Sequence, residues 1–216
     1  MSLTQDMSKV EVNGFEARYY DFLMNIITLG YYPIFIRKVI KDLNLKEGNR
    51  VLDLGAGTGR NALLMRKYIK NSGEIVGLEI GKEMKEQFVK NTKKYKNIKL
   101  LDKRIDKPLD FKNEFDFVFI SFVLHGFIQE KREIIIKNAY NALKDGGVFA
   151  ILDYNNFDID KASFIAKFAI RKLECPLAED FIKRDTKKML ENFGFGDFEE
   201  HLYFNGYIRL LKAKKI

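Results

Sequence analysis

The sequence predicts an α/β fold: a doubly wound, mostly parallel sheet closed at its C-terminal edge by an antiparallel hairpin. Three observations carry this. From Arg50 onward, short apolar runs alternate with stretches of helical periodicity, the signature of successive βαβ units. The first run, Val51-Leu52-Asp53-Leu54, breaks into a glycine-rich turn, Gly55-Ala56-Gly57-Thr58-Gly59. The chain finishes with two β-like runs separated by Phe204-Asn205-Gly206. No linker, repeat or low-complexity tract divides the 216 residues, so one domain over 1–216 is expected.

Taken in order, residues 1–13 are polar, lack the apolar core of a secretory signal, and read as a loose tail. Residues 14–49 read as a helical cover. Their most apolar part, 22–36, is interrupted by Asn25, Gly30 and Pro33 and falls short of the ~20 residues a spanning helix needs. A soluble, cytoplasmic protein is expected, and the single cysteine, Cys175, rules out an intramolecular disulfide. Residues 50–216 form the core, with strands at 50–54, 75–79, 98–101, 115–121 and 148–154 and helices at 61–70, 82–93 and 131–143. In the last helix Ile134, Ile135, Ala139, Ala142 and Leu143 share one side, while Lys131, Lys137, Asn138 and Asn141 share the other. Asp145-Gly146-Gly147 then stops it. A mixed-polarity insertion at about 158–182 reads as a second cover, followed by a helix at 185–192 and the hairpin runs 198–203 and 207–213.

The glycine turn and Glu79, which closes the second apolar strand, together describe a nucleoside cofactor site. Glycines allow positive φ and close backbone approach to a ligand, and an acid ending the next strand can accept hydrogen bonds from ribose hydroxyls. A dinucleotide fingerprint would read G-x-G-x-x-G and face a pyrophosphate; here the spacing is G-x-G-x-G, and Asp53 would repel a phosphate. The same carboxylate suits a ligand carrying ammonium and sulfonium charges. Asp53 could instead brace the turn, and Glu79 could instead cap the helix beginning near Lys82.

This segment resembles the first motif of class I S-adenosylmethionine-dependent methyltransferases. Phe115-Asp116-Phe117-Val118, Val123-Leu124-His125, Leu143-Lys144-Asp145-Gly146-Gly147 and Gly194-Phe195 resemble the later landmarks of that superfamily, in the same order. The resemblance implies a Rossmann-like, three-layer α/β/α fold around a seven-stranded sheet with an antiparallel C-terminal strand. Phe15-Glu16-Ala17-Arg18-Tyr19-Tyr20-Asp21 is similar to the A-x-x-Y-D opening of the ubiquinone/menaquinone-biosynthesis (UbiE-like) branch. Two departures stand out: the insertion lacks that branch's tyrosine-rich stretch, and the acid usual after the third strand is displaced. The implied cofactor residues are Asp53, Gly55, Ala56, Gly57, Thr58, Gly59, Glu79, Ile80 and Phe122. Asp102, Arg104 and the backbone of Ile105 are all candidates for adenine.

Methyl transfer from a sulfonium mainly requires alignment and dryness. His125 is a candidate general base and equally a packing residue. Tyr19 and Tyr20 could close over the methyl donor, with Tyr20 near the sulfonium, or simply staple onto the core. His201 reads as structural. Cys175 is misplaced for cytosine C5 methylation, and Ser121-Phe122-Val123-Leu124 stands where base-amine methyltransferases carry Asn/Asp-Pro-Pro-Tyr/Phe. No Cys/His cluster has metal-ligand spacing, so no metal is expected. The apolar covers point to a small lipophilic acceptor. A net charge of +8 leaves open RNA, protein or a phospholipid amine as acceptor, and an anionic membrane or nucleic acid as partner; solvated lysine faces explain the same charge. A non-catalytic cofactor-binding protein is the third reading.

Overall fold

The computed structural model describes residues 4–7, 31–164, 167, 170 and 175–216. Strands β1 (Arg50–Leu54), β2 (Glu74–Leu78), β3 (Ile98–Leu101), β4 (Phe115–Ser121), β5 (Leu143–Tyr154), β6 (Phe195–Tyr203) and β7 (Ile208–Lys215) form one sheet in the order β3-β2-β1-β4-β5-β7-β6. The first five pair in parallel. β7 is antiparallel to both β5 and β6, so β6 again runs with the others and the terminal hairpin reverses one strand only. This is the seven-stranded, mostly parallel sheet that the sequence and its resemblance imply.

The strands read as unbroken apolar runs because both faces are buried. Leu52, Leu54, Val118, Ile120, Phe149 and Ile151 face one core, and Val51, Phe119, Ala150 and Leu152 face the other. On the second face lie α1 (Tyr32–Asp42), α2 (Arg60–Ile69) and, through Phe88, α3 (Lys82–Thr92). On the first face lie α4 (Gln129–Ala142), α5 (Pro176–Lys183) and α6 (Thr186–Glu191). The result is three layers, and none of the helices among the described residues is long and apolar enough to cross a membrane.

Several boundaries differ from the sequence reading for local reasons. Pro33 lies in the first turn of α1, where the N–H that proline lacks would have no acceptor within the helix. Asp145-Gly146-Gly147 lies inside the irregular start of β5, where pairing to β4 jumps from Phe115–Leu143 to Phe117–Val148 and Gly146 has φ +73°. Asn138, expected on the polar side of its helix, is buried. The expected cover also divides. Leu177, Ala178, Phe181 and Ile182 are fully buried, so α5 is a packed wall of the core. The motif around Tyr19 and Tyr20, and the 22–30 part of the apolar stretch, lie outside the described residues.

Candidate active site

β1 has β2 on one side and β4 on the other, so the chain leaves the sheet in opposite directions at its carboxyl end and opens the crevice where α/β folds bind ligands. The glycine turn lines that crevice. The amides of Gly55 and Ala56 donate to the Leu78 carbonyl, at 3.0 and 2.9 Å, tying the turn to β2. Gly59 has φ +78° and precedes α2; a Cβ there would lie 2.9 Å from Phe88, so this glycine lets α2 and α3 approach. Gly57 differs. Its φ is +54°, and a Cβ would meet nothing within 4 Å, so it alone of the three faces open space. Ala56 and Thr58 are buried between them, and the Thr58 carbonyl accepts a bond from Asn91 of α3.

Glu79 does two things at once. Its Oε1 accepts from the amides of Ile80 (2.9 Å) and Gly81 (2.8 Å), bracing the turn that leads into α3, and its Oε2 accepts from Gly57 N at 2.9 Å. Beside it, Asp53 is 1% exposed, and its Oδ2 has no hydrogen-bond partner. Burial, with the Glu79 charge adding to it, pushes the Asp53 pKa up to about 7. A buried carboxylate with an orphaned oxygen is costly unless a cation completes it. This arrangement fits a ligand bringing a positive charge to Asp53 and small enough, at that point, to pass the bare Gly57 backbone.

The loop after β3 is held from behind. Asn138 donates to the carbonyls of Ile105 (2.9 Å) and Lys107 (2.7 Å) and accepts from Leu109 N at 3.1 Å. Ile105 is buried, Asp102 is exposed and pairs with Lys85, and Arg104 pairs with Asp106 at 2.9 Å. Burial alone would raise the Asp106 pKa, but Arg104 and Lys131 outweigh it and hold the carboxyl below its ordinary value.

After β4, Phe122 adopts φ +53°, a strained conformation for a bulky residue, of the kind that collects at functional sites. Its ring sits 6.4 Å from both Phe35 and Tyr154. Leu124 is fully buried, and His125 is 5% exposed. His125 is also paired: Nδ1 lies 2.7 Å from Asp153 Oδ1, and its backbone amide donates to Asp153 Oδ2 at 3.1 Å. Asp153, 2% exposed, additionally accepts from Tyr154 N, and the Tyr154 ring meets the imidazole edge-on at 5.2 Å. Sequence reasoning missed Asp153. The available signal was an acid ending an apolar strand, Ile151-Leu152-Asp153, as Asp53 ends Val51-Leu52-Asp53. His201 sits on β6 with Glu199 at 2.9 Å and Asp42 at 3.9 Å, and Cys175 is buried ahead of α5.

Comparison with known proteins adds three findings. The model of the ubiE/COQ5 methyltransferase family matches residues 5–201. A demethylmenaquinone methyltransferase from Staphylococcus carnosus is 33% identical over 135 residues; that match takes in 62% of this chain, which spans 55% of the relative's length. Among solved structures, a SAM-dependent methyltransferase from Aquifex aeolicus superposes with a TM-score of 0.63 at 22% identity, covering 84% of this chain and 89% of that one. Another, from Thermotoga maritima, gives 0.68 at 19% identity, covering 97% and 100%. At these identities the structural likeness establishes the fold.

Proposed function

The chain belongs to the ubiE/COQ5 methyltransferase family, and on that premise we propose that it transfers the methyl group of S-adenosylmethionine to a small lipophilic, quinol-like acceptor. The observation that carries the cofactor half is the orphaned Asp53 oxygen beside Gly57 and Glu79. Bound there, S-adenosylmethionine supplies a methyl group on a cationic sulfur.

The protein's part is binding, alignment and proton handling. Asp53 attracts the ammonium end, and the backbone of Gly55, Ala56, Gly57, Thr58 and Gly59 lets the ligand lie close. Glu79 exchanges its bond to Gly57 N for ribose hydroxyls, with Ile80 beside it, and Arg104 and Ile105 flank the base. Phe122 divides cofactor from acceptor. Holding the acceptor in line with the methyl group and excluding water is worth up to ~7–11 kcal/mol in favourable cases. A ring carbon or hydroxyl acceptor must also lose a proton. His125 takes it at Nε2 while Asp153 holds the Nδ1 side and fixes the ring.

Two features favour a lipophilic ring as acceptor. Phe35, Phe122 and Tyr154 form an aromatic wall beside His125, and relatives at about one-third identity are named for demethylmenaquinone. Transfer of labelled methyl from S-adenosylmethionine to a prenylated 1,4-naphthoquinol tests this. Parallel arms with bulk RNA, histone protein and phosphatidylethanolamine vesicles address the reading suggested by the net charge of +8. Label in the quinol alone supports the proposal. Label in a polyanion, with affinity falling steeply as salt rises, overturns it.

A further inference from the structure

Arg132 of α4 is 0% exposed, an unusual position for an arginine without a dedicated task. Its guanidinium reaches two other elements. Nε and Nη2 donate to the carbonyls of Leu124 (3.4 Å) and His125 (3.1 Å) in the turn after β4, and Nη2 also donates to Leu177 O (2.8 Å) on α5. Nη1 meets Asp180 Oδ2, also on α5, at 2.6 Å, and the face of the guanidinium lies 5.2 Å from the Phe181 ring. Asp180 in turn accepts from Nε and Nη2 of Arg184, at 2.8 and 2.9 Å. Burial lowers the Arg132 pKa, while the negative charges of Asp180 and Asp153 hold it up. A line of alternating charge therefore runs Arg184, Asp180, Arg132, Asp153 and ends on the His125 ring, which is charged only when protonated. It passes from the outside of α5 to the imidazole.

We propose that Arg132 is a positioning residue for the His125–Asp153 pair: it locks the turn carrying His125 to α5 and supplies the fixed positive charge against which the pair works. The inference rests on His125 serving as the base. The hydrogen bonds to the carbonyls of Leu124 and His125 hold a turn whose amide already binds Asp153, so the imidazole is fixed from both sides. The charge acts on protonation. A cation close to the pair disfavours imidazolium, and Asp180 offsets part of that cation. Removing Arg132 must then make His125 easier to protonate, and neutralising Asp180 must make it harder. Among the described residues, Asp153 from β5 pairs with the imidazole, and Arg132 from α4 bonds the carbonyl of His125 and acts on Asp153; Asp180 and Arg184 stand behind Arg132, with Glu130 and Glu133 acting on Arg184.

A chain with two histidines makes the measurement direct. Nuclear magnetic resonance of ring-labelled histidine, with His201→Gln to assign the remaining signal, gives the His125 midpoint without any acceptor. Arg132→Met should raise it, Asp180→Asn should lower it, each by about half a pH unit or more, and Arg132→Lys should stay near the parent. Opposite shifts cannot arise from loosened packing alone. If Arg132→Met does not fold, Asp180→Asn, at the half-buried end of the line, decides alone. An unmoved midpoint in Asp180→Asn, or shifts of the same sign in both variants, overturns the proposal. The rate with His125→Ala separates the two levels: unchanged methyl transfer overturns the base assignment, whereas a fall in rate without the opposite shifts overturns the role of Arg132 only.

Discussion

Replacing Asp53 by Asn should make the free protein more stable and the cofactor complex weaker. The side chain is buried, Oδ2 is orphaned, and its pKa is pushed from 3.8 to about 7. Because the folded-state value lies above the unfolded one, the native protein holds an extra proton between about pH 4 and pH 7, and stability is lost as pH rises through that window. Three pKa units at ~1.36 kcal/mol each bound the cost of ionising Asp53 in place at about 4 kcal/mol. Relaxation around the carboxylate reduces that to a gain of about 1–3 kcal/mol for Asp53→Asn above pH 7. The gain should shrink as pH falls from 7 towards 4, where the folded parent carboxyl is protonated and the unfolded one is close to its own midpoint. Urea denaturation of both proteins across pH 4–9 measures it, while calorimetric titration with S-adenosylhomocysteine follows the loss of affinity. A variant less stable than its parent at pH 8, or a gain that does not vary with pH, would refute the reasoning by showing that Asp53 is satisfied in the free protein.

Gly57→Val should fold at a cost of about 1–2 kcal/mol for its left-handed backbone, because a Cβ there meets nothing, yet lose S-adenosylhomocysteine binding in the same titration. Glu79→Ala should weaken cofactor binding by about 1–3 kcal/mol. It should also lower the melting temperature, since the amides of Ile80, Gly81 and Gly57 lose their acceptor; unchanged affinity would leave Glu79 as a brace of the turn only. In hydrogen exchange, the amides of α5 should be protected like the central strands with or without S-adenosylhomocysteine, given the burial of Leu177, Ala178, Phe181 and Ile182. Protection gained only on binding would restore α5 to a moving cover.

The sheet was legible because strands buried on both faces have no choice but to be apolar: Val51-Leu52 and Phe117-Val118-Phe119-Ile120 announce themselves. The glycine turn and Glu79 were legible because they are local in sequence. The partnerships were not. Glu79 does not cap α3: one carboxylate oxygen braces the turn before that helix and the other meets the glycine turn, and one sequence position cannot reveal that it does both. His125 could not be sorted between packing and chemistry because its partner, Asp153, lies on the next strand, 28 residues away. Asn138 and Arg132 were hidden by periodicity itself. A polar residue on a helix reads as facing water, and only the neighbouring loop and α5 turn those positions inward.

Calorimetric titration of the purified chain with S-adenosylhomocysteine and, separately, with NAD, at a series of pH values, tests the central claim most directly. On the proposed role of Asp53 as partner of the ligand's ammonium group, binding should expel the proton that Asp53 carries below about pH 7. Affinity should therefore climb with pH up to that point and then level off, with proton release visible as a dependence of the heat on buffer. NAD, which would set a pyrophosphate against Asp53, should give no heat. Tight NAD binding, or S-adenosylhomocysteine affinity indifferent to pH between 5 and 8, would contradict the account.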